Sequence, residues 1–375
     1  MTAEVKGWCP GAHRPMASGD GLVVRVRPFR ACLTDQQALA LCALAEEFGN
    51  SMLDLTSRAN VQIRGVAADR HQDLLRALWD IDLLDADPQT EGRRNILMPP
   101  DWVSGDQTYR LHDALAKAIP DFPDLPEKMG YAVDTGRTAC LSDASADLRF
   151  ERDGDGHLML RLDGAAKGWR IDERNAMSAV KDALLWFNAT GGKSAGRMAR
   201  HLRHVCLPDK WQSCTPRAVT KPLVPRRDND ATTLGVPFGN IPARDLVQLI
   251  QAARLTELRL LPHRLIRVAT KVPDIAPFIT APDHPLLRIH ACPGAPFCPQ
   301  ATVETRDLAM RLAGSVEGTL HVSGCAKGCA RPGKADVTLT GRSGRFDLIR
   351  DGSPWDPPAA AGLLPHDLPD LIGTA

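Results

Sequence analysis

One order of structural signals runs twice along this 375-residue chain, and that repetition limits the fold more than any other feature. In the first pass, Gly21-Leu-Val-Val-Arg-Val-Arg27 reads as a strand stopped by Pro28. Thr34 and Gln37 have capping-box spacing, so a helix is expected from Thr34. Ala38, Leu41, Ala45 and Phe48 make its apolar stripe, and Gly49 is its stop. Short strands at 52–56 and 61–66 flank a turn, and 71–79 is helical. This β-α-β-β-α order is that of a ferredoxin-like split unit.

The same order returns after residue 232, with a strand at 233–238, a helix at 243–254 and strands at 257–261 and 265–270. Arg94-Asn-Ile-Leu-Met-Pro99 lines up with Arg288-Ile-His-Ala-Cys-Pro293. Each segment is followed by a helix (109–119 and 303–313), a strand and a hairpin (146–162 and 335–348). The expected molecule is α+β with pseudo-twofold symmetry, its ligand site lying where the halves meet. Ferredoxin-like half-domains fall at 15–85 and 232–280, and α/β repeat domains at 90–205 and 284–356. A Pro- and charge-rich linker occupies 206–231, and the residues after Pro357 read as a loose tail.

A net charge of +1 argues against a general nucleic-acid binder, and no apolar run is long enough to expect a membrane span. The first 28 residues lack the pattern of a secretory signal, which points to the cytoplasm. Ten cysteines there are metal ligands and core thiols rather than disulfides.

Four of them stand out: Cys292-x5-Cys298, then Cys325-x3-Cys329. Four thiolates from two loops can hold an iron–sulfur cluster or zinc. Zinc knuckles commonly use closer pairs. The long first loop and the flanking Gly, Ala and Pro residues suit a backbone wrapped around an inorganic cluster. In the first half Met98 takes the place of Cys292, and no cysteine pair matches Cys325 and Cys329, so one half carries the metal. Cys9, Cys32, Cys42, Cys140, Cys206 and Cys214 read as core or loop residues.

Along strand 61–66, Gln62 and Arg64 share a face with Asn60, opposite Val61 and Ile63. Arg25 and Arg27 likewise share one face of their strand. Such rows suit planar, bidentate grip on carboxylates, although a solvated sheet face would show the same spacing.

With its paired cysteine motifs and duplicated plan, the chain resembles the nitrite/sulfite reductase superfamily. The resemblance implies a [4Fe–4S] cluster on Cys292, Cys298, Cys325 and Cys329, beside a tetrapyrrole site between the halves. In the sirohaem members the last cysteine, here Cys329, also bridges to the haem iron. Thr56, Arg58 and Gln62 match the Thr-x-Arg-x-x-x-Gln segment that grips tetrapyrrole carboxylates, and Arg94-Asn95-Ile96-Leu97 matches a second family segment. Leu125-Pro126-Glu127-Lys128-Met129-Gly130 matches Leu-Pro-x-Lys-x-Lys only in part. Gly130 replaces a lysine that handles the small anionic substrate in the reductases, which tells against sulfite or nitrite reduction.

The opening words, Trp8-Cys-Pro-Gly-Ala-His-Arg-Pro-Met-Ala-Ser-Gly-Asp20, are similar to those of a cobalamin-pathway monooxygenase branch of the same superfamily. In that branch the tetrapyrrole is a substrate, hydroxylated at C-20 with O2 before an acetate side chain closes a γ-lactone. Arg25, Arg27, Arg58, Gln62, Arg64, Arg94 and Lys128 would hold its carboxylates. The cluster would relay electrons ultimately from NADH or NADPH, through an electron-donor protein or reductase. The branch is also associated with an additional non-haem iron. His13, His290 and His321 are candidate ligands for it, but no 2-His-1-carboxylate spacing stands out. Sirohaem is expected only of the alternative, a sulfite or nitrite reductase. A third reading is a zinc-stabilised tetrapyrrole-binding protein without catalysis.

Overall fold

The computed structural model describes residues 10–219 and 222–373, so Trp8 and Cys9 of the opening words lie outside the described residues. The first half begins with β1 (Met16–Ser18), β2 (Gly21–Val26), β3 (Cys32–Thr34), α1 (Asp35–Phe48), β4 (Met52–Leu55), β5 (Val61–Val66) and α2 (His71–Asp80). Its repeat region contains α3 (Pro88–Arg93), β6 (Ile96–Leu97), α4 (Gln107–Ala118), β7 (Tyr131–Val133), β8 (Leu148–Arg152), β9 (Leu158–Leu162), β10 (Trp169–Arg170) and α5 (Ala176–Ala189). Two short helices, α6 (Gly192–Ala195) and α7 (Met198–His201), close it. The second half follows with β11 (Arg226–Arg227), β12 (Thr232–Gly235), β13 (Asn240–Pro242), α8 (Ala243–Ala252), β14 (Glu257–Leu261) and β15 (Leu265–Val268). Its repeat region has β16 (Ile289–Ala291), α9 (Arg306–Arg311), β17 (Leu320–Ser323), β18 (Ala335–Arg342), β19 (Arg345–Gly352), β20 (Ala360–Leu363) and α10 (Leu368–Ile372).

These strands form four five-stranded sheets, in the orders β1-β2-β5-β4-β13, β11-β12-β15-β14-β3, β10-β9-β8-β7-β6 and β16-β17-β18-β19-β20. The first two are ferredoxin-like, and each takes an edge strand from the other half. Ile241 of β13 lies opposite Leu53 of β4, and Leu33 of β3 opposite Leu258 of β14. Each exchanged strand runs straight into a helix, α8 or α1, so both helices are drawn onto one common interior. Val24, Leu41 and Ile63 are buried there with Leu234, Leu249 and Ile266. Separate cores back the two repeat sheets, around Phe150 and Phe187 in one and Leu339 and Phe346 in the other.

Local signals explain much of this. Thr34 accepts from the Gln37 N–H while the Gln37 side chain accepts from the Thr34 N–H, closing the capping box that starts α1. Other expectations need correction. The strand expected at 233–238 ends at Gly235, because Pro237 lacks a donor and Phe238 turns to a positive φ of 56°. Helix 303–313 shrinks to α9, since the preceding residues are tied to the cysteine loops: Ala295 N donates to Val303 O, and Thr302 N to Gly324 O. The tail after Pro357 is not loose. β20 pairs with β19, and Leu368 and Ile372 of α10 are buried in the last core.

Candidate metal centre and carboxylate-binding face

The quartet forms at one end of the last sheet. Cys292 leaves β16 with its N–H still on Val322 O (3.1 Å), and its carbonyl accepts from Thr305 Oγ1 (2.5 Å). Gly294, at φ 73°, turns the chain back toward Cys298, whose N–H reaches Gly294 O at 2.8 Å. Cys325 and Cys329 lie on the loop after β17, which turns through Gly328 at φ 62°. Around the Cys292 sulfur, Ala330 N–H lies at 3.4 Å and Ser323 Oγ at 3.4 Å.

The four thiols feel one another. Burial first, and then the neighbouring Cys292, Cys325 and Cys298, push the Cys329 thiol up to about 11, although the residue as a whole is exposed. Cys325 is also raised, first by burial, with the Lys327 backbone N–H opposing. Thiols held protonated in this way give up their protons to a metal. Four thiolates around one zinc ion at about 2.3 Å would stand about 3.8 Å apart. Among the described residues, the set of three ligand atoms all within 4.8 Å of one another is Asp153, Asp155 and His157, not the cysteines. Asp153 and Asp155 in turn both pair with Arg170, which already supplies that hairpin with a cation.

Strand register extends the comparison between halves. Ile96 is opposite Tyr131 as Ile289 is opposite Leu320, and Ile96 and Ile289 both lie in the core of their own repeat; matched on these two pairs, Pro99 stands against Cys292, one residue on from Met98 in the Arg-to-Pro alignment of the two segments. In the same match Tyr131–Leu148 and Leu320–Val337 span equal lengths, which sets Gly136 against Cys325 and Cys140 against Cys329. Cys140 is a buried thiol beside Asp134, as expected of a core residue. The first half therefore keeps one cysteine of the set and lacks the pair.

The polar side of the first ferredoxin-like sheet meets the loop between Cys292 and Cys298. Arg25, Gln62, Asp54 and Asn240 stand side by side across β2, β5, β4 and β13. Val61 and Ile63 are buried on the other face, as the alternation requires. Arg306 of α9 reaches Asp54 (3.1 Å), and a cavity of about 370 Å³ separates Met52, Arg64 and Asn240 from Pro296, Phe297 and Arg306. Buried donors without a partner include Asn60 Nδ2 and Arg306 Nε, which suits a site built for an acceptor-rich guest.

The basic residues separate into two groups. Arg58 donates to Lys128 O (2.8 Å), bringing the Thr56–Gln62 and Leu125–Gly130 segments together. Lys128 is half-buried and pairs with no carboxylate among the described residues. By contrast, Arg27 is buried against Glu91, and Arg94 is buried against Asp85 (2.8 Å) with its face on Phe29. Both are spent on the fold, because removing them would leave a buried carboxylate without its counter-charge. Arg64 is also buried, between Asp54 and Asp20, and donates to Ser18 Oγ (2.9 Å) and Phe297 O (3.3 Å). Phe297 O also accepts from Ser18 Oγ (2.6 Å) and Gly19 N (3.1 Å), a clasp on the cysteine loop that sequence reasoning missed.

Of the histidines, His290 and His321 stand opposite each other on β16 and β17. Burial drives their rings down to about 3 and about 4, so both are neutral near pH 7. His13 lies elsewhere, against Asp85 O at 2.7 Å.

Residues 14–80 match the nitrite/sulfite reductase ferredoxin-like half domain. The structure of the Mycobacterium tuberculosis NirA protein aligns with 94% of this chain and 79% of that one, with a TM-score of 0.61 at 19% identity. The chain has the fold of the nitrite/sulfite reductase superfamily. Across that superfamily it is similar to a precorrin-3B synthase from Sinorhizobium sp, 28% identical over 95% of this chain and 85% of the relative. It is also similar to the ferredoxin–nitrite reductase of Leptolyngbya laminosa, at 24% identity over 91% of this chain and 80% of the relative. The superfamily resemblance seen in the motifs is thus borne out across nearly the whole chain. None of the helices of the described residues is long and apolar enough to cross a membrane.

Proposed function

We propose that this protein is a precorrin-3B synthase: an O2-dependent monooxygenase that hydroxylates precorrin-3A at C-20 and lets an acetate side chain close a γ-lactone. The observation that carries the reading is the similarity to precorrin-3B synthase over 95% of the chain, at higher identity than to the nitrite reductases. Gly130, in place of the second lysine of the reductase motif, supports it locally.

In this reading the substrate lies between the polar face of the first sheet and the cysteine loops. Arg25, Arg58, Gln62 and Lys128 bind its carboxylates, because charge-assisted and bidentate contacts give both strength and orientation. Arg64, held between Asp20 and Asp54, shapes the floor of the site without being free to grip the substrate. A [4Fe–4S] cluster on Cys292, Cys298, Cys325 and Cys329 would supply electrons one at a time, drawn ultimately from NADH or NADPH. One atom of O2 enters C-20 and the other leaves as water, which consumes two electrons. A further non-haem iron for the oxygen chemistry belongs to the same proposal, with His290 and His321 the histidines nearest the quartet.

Cluster-replete protein incubated in air with precorrin-3A and a reductant should yield the hydroxylated lactone, with one 18O atom from 18O2. Unchanged precorrin-3A would sink the proposal. The reductase alternative, favoured by the likeness to nitrite reductases and by the retained Lys128, predicts tightly bound sirohaem after anaerobic purification.

A further inference from the structure

The pseudo-twofold axis that builds the cysteine site also builds its counterpart at the end of the first repeat sheet. There, with Ile96 matched to Ile289, Pro99, Gly136 and Cys140 stand against Cys292, Cys325 and Cys329, so the thiolate set is not reproduced. The polar face opposite is also duplicated. Arg226, Thr233, Arg267, Arg259 and Cys32 stand side by side across the second ferredoxin-like sheet. This face is already filled. Arg226 and Arg267 converge on Asp228, while Arg259 lies 4.0 Å over the Trp102 ring and donates to Pro100 O and Trp102 O at 2.8 Å. Trp102, only 9% exposed, takes the space a large planar guest would need.

Beyond Trp102 a cavity of about 510 Å³ remains, lined by Thr108, Thr135, Gly136, Arg137, Arg152 and Arg217 among others. Its three arginines are arranged unlike those of the fold. Arg152 donates to Thr135 O, Gly156 O and the Gln107 amide oxygen, and Arg217 to Gly136 O at 2.9 Å. None of those acceptors is a carboxylate, and Arg217 Nε is buried with no partner. Arg137 is exposed at the rim. Two acids also line the cavity. The Asp106 carboxylate is spent on the Val103 and Tyr109 N–H groups at the start of α4, which leaves exposed Asp101 as the opposing charge.

Arg217 is delivered by the linker, which is not a passive connection. Its N–H donates to Arg152 O (2.8 Å), and the bridges Asp153–Pro216 and Ala139–Val219 fix the segment on either side. Three guanidinium groups with spare N–H donors around a pocket this size suit a guest carrying several acceptor oxygens.

We propose that this pocket, the clusterless counterpart of the metal centre, binds a small oxyanion, a phosphate or a short carboxylate, through Arg137, Arg152 and Arg217. The site is independent of the cysteine quartet and of the proposed monooxygenase activity. Titration calorimetry of the full-length, cluster-loaded protein at constant ionic strength, with inorganic phosphate in one arm and malonate in the other, tests it. One saturable site per chain is expected for at least one anion, and which arm saturates identifies the source. Arg217→Gln should weaken that binding about tenfold or more, since one charge-assisted hydrogen bond is worth roughly that factor. Arg137→Ala, at an exposed position that folding does not need, should weaken it by a similar factor, and Lys128→Ala on the other face should leave it unchanged. The proposal is overturned if neither anion saturates, or if the arginine variants bind as tightly as the parent protein.

Discussion

Arg64 Nη2 donates to the Phe297 carbonyl at 3.3 Å and so fastens a strand of the first half to the residue before Cys298. Together with Ser18 and Gly19 it gives that carbonyl three donors, and it draws its own charge balance from Asp20 and Asp54. The loop that carries Cys292 and Cys298 is thus held by the other half of the molecule.

Arg64→Ala is expected to lower unfolding free energy by about 1–3 kcal/mol, the range for a buried hydrogen-bonding group that loses its partner. The larger cost of an orphaned buried charge is avoided, because Asp54 keeps Arg306 and Asp20 keeps Asn50. Urea unfolding measures it. Iron content per chain should fall as well, and full iron retention would show that the clasp does not position the loop.

Arg94 and Lys128 should respond in opposite ways. Arg94→Ala leaves Asp85 buried without its partner, so a loss of about 3–5 kcal/mol is expected. Lys128→Ala removes a half-buried ammonium with no carboxylate partner and should change stability by less than about 0.5 kcal/mol. If Lys128 grips a substrate carboxylate, its loss should raise KM for the tetrapyrrole. Thermal melts and steady-state kinetics on both variants separate the two roles.

His112 makes stability depend on acid. The ring is 2% exposed, burial lowers its pKa, and it contacts Asp113 Oδ1 through Nδ1 at 3.1 Å. As pH falls below about 6.5 the unfolded chain takes up a proton that the folded ring resists, so stability declines by at most about 1.4 kcal/mol per pH unit. Asp113 acts lower down: the hydrogen bond from His112, then that from Arg30, holds it at about 2. Its stabilisation is present above its unfolded value of 3.8 and is lost as pH falls toward 2, and solvent exposure keeps it small. Urea unfolding at pH 7 and pH 5 should show a decline in the parent protein and a flatter response in His112→Gln.

What the sequence made legible was local. The Thr34–Gln37 capping box and the strand Val61–Val66 are where the spacing put them, because both depend on neighbours a few residues away. The exchange of β3 and β13 was not legible. Three residues carry no periodicity, and their pairing partners lie in the other half. Arg27 and Arg94 read as carboxylate-binding residues for a similar reason, since Glu91 and Asp85 are brought to them only by the fold. The match of Pro99 to Cys292 uses the strand pairs and their buried faces, whereas the sequence alone aligns the two segments on their arginines and prolines.

Leu368 tests the corrected C-terminal end. It is 0% exposed in the core of the cysteine-bearing repeat, where β20 and α10 close the sheet. Leu368→Ala should cost about 2–5 kcal/mol through lost burial and the cavity left behind. An unchanged melting midpoint would return these residues to the status of a tail.

Cys325→Ser tests the metal assignment itself. Serine keeps the size of the side chain but replaces the soft thiolate that iron–sulfur clusters require. The change lies in the last repeat, whose core is separate from that of the first repeat and from the shared ferredoxin-like interior. Iron, acid-labile sulfide and the cluster's visible absorption should therefore fall sharply, while the first half stays folded. Limited proteolysis with mass spectrometry reads the second point, since residues 10–205 should resist cleavage as in the parent protein. Zinc at one equivalent in the parent protein, with neither iron nor sulfide, would instead identify the quartet as a structural site. Full iron and sulfide in the variant would remove Cys325 from the ligand set.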